Sequence, residues 1–530
     1  MCDKVSITQI PGRWVPYTSI IPPEDANETN GKEVYNRLSP KLLYSPKLNE
    51  KINIIVPVMP AVWPTMIIEK TSKGLAPIKG NKSPYSETVF EANRSGTRSA
   101  VVPTTLIHGK NEKSLTNNEN DNYIPVALNY PNPILIRLKG CGMWLQENQI
   151  EFPCYTINQT TTEHYNGTDK VYEIRGVAFT NTALTELYAS KIFSECFNQI
   201  GFLCGNEPLG CWIYDKVDND IVPDIEKCVV VMKTYGDKRC ETHLLSGLEQ
   251  IISGIKEEDA KIISDHLMSV FESHNIIKPI LENKVYNRVS ELNYSDIPNI
   301  ITNKVKNNIK KCADFNYVKQ IKDNKKFIDS ELIRKAVKDI KFISNETEYS
   351  LSSLIDLYCQ IGREAGISIA GVHRCGFLWG SYCEHQLSEF HCNSHPDNLI
   401  ILNNKDYINK KQLLAPVDFD MSFEYRCTVN FWHEQHGIPD SSMATDNIFA
   451  ELQFMLMDLL GYAAMVKGAS TAIKTREQPK GESRNNIIET CRLVLAWEYF
   501  MAYNEPLKKD FEDVYKLVQK SLEYTEKNNS

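Results

Sequence analysis

None of the fifteen cysteines is spaced Cys-x-x-Cys, which argues against a zinc ribbon and against a thioredoxin-type redox pair. Long apolar runs are also missing. The most apolar early stretch, Ile52 to Ile68, carries Pro57, Pro60 and Pro64, and prolines so closely spaced point to strand or irregular buried structure rather than a membrane helix. There is no basic excess. Lys and Arg number 59 against 67 Asp and Glu, a net charge of −8, which argues against a nucleic-acid-binding surface but leaves room for a local basic pocket holding one small anion. The opening residues, MCDKVSITQI, show neither a hydrophobic signal core nor an Arg-rich transit pattern. The expectation is a cytoplasmic protein with reduced thiols, in which Asn158-Gln-Thr and Asn166-Gly-Thr are chance sequons. No internal repeat is present.

What remains is ordinary globular composition, 42% hydrophobic and 24% charged over 530 residues. That is enough chain for two or three domains, or for one two-lobed enzyme with insertions. The first 90 residues are Pro-rich and read as irregular. Residues 91–110 and 133–142 read as short strands separated by the polar loop KNEKSLTNNENDN. In residues 180–200, Leu184, Leu187, Ile192 and Phe193 fall at helical spacing. PLGCWIY and KCVVVMKTY read as strands. From about Thr242 the pattern is mainly helical, with a Lys-rich solvated insertion near 303–326, a helix from about Leu351 to Gly371 and a strand-turn-strand over 399–423. Strands first and helices afterwards predict an α+β chain with a small sheet lobe and a larger helical lobe.

The sharpest local signal is HCNSHPDNLIIL, His391 to Leu402, followed by LLAPVDFDMSF, Leu413 to Phe423. A loop ending in Asp397 and Asn398, and a second apolar strand ending in Asp418, can aim oxygens at one point. Such ligands suit Mg²⁺, and kinase-like enzymes hold their metal with a catalytic-loop Asn and a D-F-G Asp. The plain alternative is that Asp397 and Asn398 cap a turn and Asp418 starts a loop. A second signal is ILIRLKGCG, Ile134 to Gly142, where the single Lys139 ends an apolar strand. Glu186 on the following helix is a plausible partner for it. Alternatively, both are solvated surface residues. Upstream, Gly96 and Arg98 in RSGTRSAVV suit a turn covering phosphates with backbone amides. These features stand in the order required by a protein-kinase-like two-lobed fold.

At these same residues the sequence resembles the selenoprotein O family, kinase-like enzymes that transfer AMP rather than phosphate. The family strand motif L-K-G-x-G is matched by LKGCG at Leu138–Gly142. TELYAS at Thr185–Ser190 matches the helix in type, and IAGVHRCGF at Ile369–Phe377 corresponds to I-A-x-W-Q-x-V-G-F. HCNSHPDN at His391–Asn398 matches the catalytic loop H-G-V-M-N-T-D-N in length and ends, and SGTRSA at Ser95–Ala100 resembles the glycine turn. The resemblance runs with gaps from about residue 91 to 425. It implies that Lys139 pairs with Glu186, that Asn398 and Asp418 hold Mg²⁺ or Mn²⁺, and that Asp397 is the acidic group nearest the chemistry. It further implies that Lys233 and Arg239 meet the outer phosphates of ATP beside Gly96 and Arg98, and that the acceptors are protein substrates. On this basis 1–90 is an N-terminal extension packing on the small lobe and 91–236 is that lobe. The larger lobe is 237–430 with a helical insertion at about 255–345, and 431–530 is a helical extension.

Departures from the family are specific. The metal turn reads Asp-Phe-Asp, with Asp420 where the family has glycine, so that Asp420 either adds a ligand or spoils the turn. No paired-cysteine tail follows. The position of the usual kinase base is Asn393, which cannot accept a hydroxyl proton. This fits AMP transfer, and it also fits an inactive pseudokinase that senses nucleotide or binds a partner. An atypical kinase is a further alternative. His373, Cys375, Cys383, His385, His391, Cys392 and His395 crowd one stretch, which keeps a zinc site and, more remotely, a Cys-His hydrolase in view.

Overall fold

The computed structural model describes residues 135–140, 178–214, 227–274, 330–374, 377–383, 386–391, 393–403, 410–420 and 422–424. It also describes parts of 451–461 and 476–504, and a set of short strands earlier in the chain. Helices and strands both contribute, as the sequence pattern predicts. The backbone of one eight-stranded sheet gathers β1 (Lys4–Ile7), β2 (Gly12–Pro16), β3 (Phe90–Arg94), β4 (Ser99–Pro103), β5 (Leu135–Lys139), β6 (Ala178–Phe179), β7 (Asn206–Tyr214) and β8 (Lys227–Thr234). Its order is β1-β3-β4-β5-β8-β7-β2, with β6 also pairing to β8, and every pairing is antiparallel.

The first 90 residues are therefore not simply irregular. They supply both edges of the sheet, and further strands of the same region pair at Ser19–Ile21 with Lys41–Leu43 and at Met66–Thr71 with Gly74–Gly80. Proline is compatible with these positions because an edge strand can leave one row of backbone groups unpaired. Pro16 closes β2, and Pro77 lies in the edge strand Gly74–Gly80.

Helix α1 (Thr180–Gln199) packs on β7 and β8. Its residues Ala183, Leu187, Tyr188, Ile192, Phe193, Cys196 and Phe197 are all buried. They cover more than one face, so the helix is sandwiched rather than laid on a surface. It stops at a Schellman turn. Gly201, at φ +76, donates to the Asn198 carbonyl at 3.1 Å, and Phe202 donates to Phe197 at 2.9 Å. The rings of Phe197 and Phe202 close the turn 5.6 Å apart.

The rest of the described chain is mainly helical: α2 (Ser246–Ser253), α3 (Glu257–Ser273), α4 (Ser330–Ala336), α5 (Leu351–Arg374) and, near the end, α6 (Glu482–Asn504). A hairpin, β9 (Lys341–Ser344) with β10 (Thr347–Ser350), precedes α5, and β11 (Leu399–Ile401) pairs with β12 (Leu414–Pro416) after it. Helices α5 and α6 approach so closely that a Cβ on Gly362 would lie 2.2 Å from the Leu495 carbonyl oxygen. One hydrophobic cluster runs from Val230 of the sheet through α1, α5 and β12 to Tyr499 of α6. It packs β7 and β8 of the sheet with the helices around α1 and β12. Residues 303–326 lie outside those described. No helix among the described residues is long and apolar enough to cross a membrane.

Candidate nucleotide and metal site

The site begins with strand chemistry. In β5, Arg137 and Lys139 alternate with Ile136 and Leu138, so the two cations share one face while the apolar pair takes the other. All four are buried. Gly140 ends the strand at φ +87, and a Cβ there would meet the Ala178 nitrogen at 2.4 Å. The Lys-Gly order is thus a backbone requirement as well as a motif.

Lys139 lies opposite Val230 on one side and Ser99 on the other, in the middle of the sheet. Its ammonium is 2.6 Å from Glu186 Oε2 on α1 and 3.0 Å from Asp420 Oδ2, and it also contacts Asp418 Oδ1. Lys139, Glu186 and Asp420 are almost inaccessible to solvent, whereas the Asp418 side chain is 23% exposed. One ammonium faces three carboxylates. The buried Arg137 guanidinium is the next source of positive charge. Burial, then Arg239, lowers its pKa to about 9, with Asp418 and Glu186 opposing. Burial likewise pushes the Glu186 carboxyl above its ordinary range. Lys139 pulls it back down, and Asp418 and Asp420 push it up again.

Asp418 has φ +69, a left-handed backbone that costs a non-glycine residue about 1–2 kcal/mol. Its carbonyl is held there by two donors, Asn393 Nδ2 at 2.8 Å and Trp379 Nε1 at 3.1 Å. The loop from Asn393 to Asn398 ends in a 3₁₀ turn, Pro396–Asn398. Asn398 is buried. Its amide donates to the Asn393 carbonyl at 2.8 Å, and its own carbonyl accepts from Val417 N at 2.9 Å. That last bond ties the loop to the strand leading into Asp418. Arg239 donates to the Asp397 carbonyl at 2.7 Å and reaches Asn398 Oδ1 at 3.4 Å. The half-buried Asp397 carboxylate accepts from Thr242 Oγ1 at 3.4 Å.

Of the sequence candidates, Lys139, Glu186 and Asp418 therefore meet in one contact set, and Asp397, Asn398 and Arg239 form a second set joined to it through Val417 and Asn393. Lys233 is placed differently: its ammonium engages Glu207 Oε2 at 3.2 Å and the Tyr235 hydroxyl at 2.9 Å. Gly96 and Arg98, between β3 and β4, lie outside the described residues. So do Cys375, His385 and Cys392 of the Cys/His cluster, and the side chains of Cys383 and His391. Its member His373 is engaged by Glu451 Oε2 at 2.8 Å and the Tyr503 hydroxyl at 3.0 Å.

Asp420, which the sequence left open between adding a ligand and spoiling the turn, joins the lysine. Two further contributors were not singled out from sequence. Arg137 shares its face. Glu451 accepts the Trp379 amide at 2.9 Å and the Gly380 amide, which fixes the segment that carries Trp379. The alternation of Arg137 with Lys139 was a usable signal, whereas Glu451 sits in a stretch with no motif.

Among the described residues, Glu186, Asp418 and Asp420 are the group able to hold a metal ion, with one oxygen from each within 4.8 Å of the others. The donors are all hard oxygens, the charge balance is negative, and Glu186 Oε1 is buried with no hydrogen-bond partner. This donor set fits Mg²⁺ or Mn²⁺. No family model, curated protein or solved structure matches this chain.

Proposed function

We propose that the chain binds ATP with Mg²⁺ or Mn²⁺ at the Lys139 cluster and transfers AMP to hydroxyl side chains of protein substrates, as the enzymes its motifs resemble do. The observation that carries the proposal is the buried pair between a strand lysine and a helix glutamate, in contact with the aspartate that follows β12. Kinase-like enzymes position phosphates and metal with such a set. On this reading β3 to β8 with α1 form the small lobe of a kinase-like fold, and the helices after β8 belong to the larger lobe.

Asp418 and Asn398 would hold the metal, with Asp420 as an additional oxygen. Bound there, the ion would neutralise phosphate charge. Lys139, oriented by Glu186, stabilises the negative charge developing on the reacting phosphoryl group. The acceptor hydroxyl oxygen forms a bond to the α-phosphorus while the bond from that phosphorus to the bridging oxygen breaks, and pyrophosphate leaves. Asp397 takes the hydroxyl proton, a role that Asn393 cannot fill. The test is incubation of the full chain with ATP labelled separately at the α and γ positions, followed by intact-mass measurement. Label from the α position with a mass gain of one AMP is expected, and the Asp418→Ala variant should lose it. Full labelling in that variant would refute the proposal, and label from γ alone would point to an atypical kinase.

A second reading has its own observation. Lys139 already contacts three carboxylates, one of them Asp420 in place of a glycine, so incoming phosphates must compete for it. A pseudokinase that senses nucleotide is the result if they bind without turnover. It predicts saturable ATP binding with no label from either position under either metal.

A further inference from the structure

A cavity of about 530 Å³ opens between α4, α5, the residues after α1 and the turn before β12, and none of its lining residues belongs to the Lys139 cluster. Phe202 and Ile367 give it apolar wall, and Arg334, Arg363, Lys410 and Lys411 give it positive charge. It also has three carboxylates, each already engaged. Asp356 lies 2.9 Å from Arg334, and Glu498 contacts the same guanidinium at 3.9 Å while accepting the Ser330 hydroxyl. Glu364 accepts the Leu413 and Leu414 amides at 2.8 and 2.6 Å and the Gln360 amide at 2.9 Å.

The two lysines are different. Both are exposed, and neither makes an ion pair or hydrogen bond with another described residue. The backbone that carries them is nevertheless held in place. Lys411 has φ +53, a left-handed backbone that is costly for a non-glycine residue. Gln412, next in the chain, pins the turn through bonds to Leu203 N at 2.7 Å, Leu203 O at 2.9 Å and Leu414 O at 2.6 Å. The turn thus sets where two adjacent lysines leave the chain, at the edge of a concavity that also contains the Arg363 fork. Like charges so gathered attract an anion, and a guanidinium with two lysines suits the several oxygens of a phosphate better than the two of a carboxylate. The volume falls in the range of small-molecule sites, about 300–1,000 Å³.

We propose that this cavity binds a small phosphorylated organic molecule. The phosphate meets Lys410, Lys411 and Arg363, and the organic body lies against Phe202 and Ile367. The site does not depend on AMP transfer at the Lys139 cluster.

The experiment is titration calorimetry of the full chain with phenyl phosphate, with benzoate as the carboxylate of similar body. The variants are Lys410→Glu with Lys411→Glu, and separately Asp418→Ala. Exposed lysines tolerate reversal, and circular dichroism confirms that the fold is kept. Saturable phenyl phosphate binding is expected in the full chain and unchanged in Asp418→Ala. It should weaken by at least about tenfold in the double charge reversal, since two charge-assisted contacts are lost, and benzoate should bind more weakly throughout. Four results would each overturn the proposal: no saturable phenyl phosphate binding, undiminished affinity in the charge-reversed variant, loss confined to Asp418→Ala, or benzoate binding as tightly.

Discussion

Removing the Lys139 ammonium tests the physical core of the site without assuming any reaction. In Lys139→Ala, Glu186 keeps its fully buried position but loses its 2.6 Å partner, and its other oxygen already has none. Asp420, equally buried, loses its 3.0 Å contact. Breaking a buried ion pair from one side costs about 3–5 kcal/mol, because the remaining charge stays desolvated. Arg137 stays nearby and offsets part of this, so a loss of about 3 kcal/mol is expected. The loss should depend on pH with a definite sign. Burial holds the Glu186 carboxyl above its ordinary range while Lys139 lowers it, so deletion of the lysine raises it further. The variant is then weakest in alkali, where the Glu186 carboxyl must ionise, and recovers as acid protonates it. Denaturant midpoints of the full chain at about pH 5 and about pH 8 measure this, together with Glu186→Gln and the double variant. Glu186→Gln should rescue Lys139→Ala by more than about 1 kcal/mol, a coupling expected of residues in contact. A loss below about 1 kcal/mol, typical of exposed pairs, that simply adds to that of Glu186→Gln would refute the reasoning.

Two further perturbations address the framework. Burial raises the Glu364 carboxyl to about 7 from an ordinary value of 4.5. The folded chain therefore keeps this proton up to about pH 7, and the stability it contributes is complete below about pH 4.5 and lost as pH rises through about 7, a change on the order of 3 kcal/mol. Glu364→Gln should flatten that part of the stability profile, and parallel profiles for the two proteins would contradict the assignment. Gly362→Ala should lower the thermal midpoint by the equivalent of about 2–3 kcal/mol, since its Cβ would meet the Leu495 carbonyl at 2.2 Å and force α5 from α6. Gly247→Ala, in α2 with nothing within 4 Å of its Cβ, should instead stabilise by about 0.5–1 kcal/mol. Equal effects at the two glycines would show that the helix contact is not as close as described.

The sequence alone determined the local elements and the polar residues at their ends. Spacing within residues 180–200 marked α1, which forms as Thr180–Gln199, and the apolar pattern from Leu351 marked α5, which continues to Arg374. LKGCG and the Asp-Asn and Asp-Phe-Asp ends named Lys139, Asn398 and Asp418, because short-range periodicity and turn chemistry are written in neighbouring residues. The hairpin β9–β10 was not legible. Its turn uses Asn345 and Glu346 at positive φ rather than the usual Asn-Gly. The sheet edges drawn from Lys4–Ile7 and Gly12–Pro16 were equally hidden, since strand pairing across some 80 or 200 residues leaves no local mark. Only the tertiary structure decided that Glu186, Asp418 and Asp420 converge on one lysine, that Lys233 turns to Glu207 instead, and that Glu451 holds the Trp379 segment. The ion pairs at Lys139 join positions 47 to 281 residues apart. They are set by how α1 and β12 pack around a common core to which β5 is joined through β8, a property of shape that no window of sequence contains.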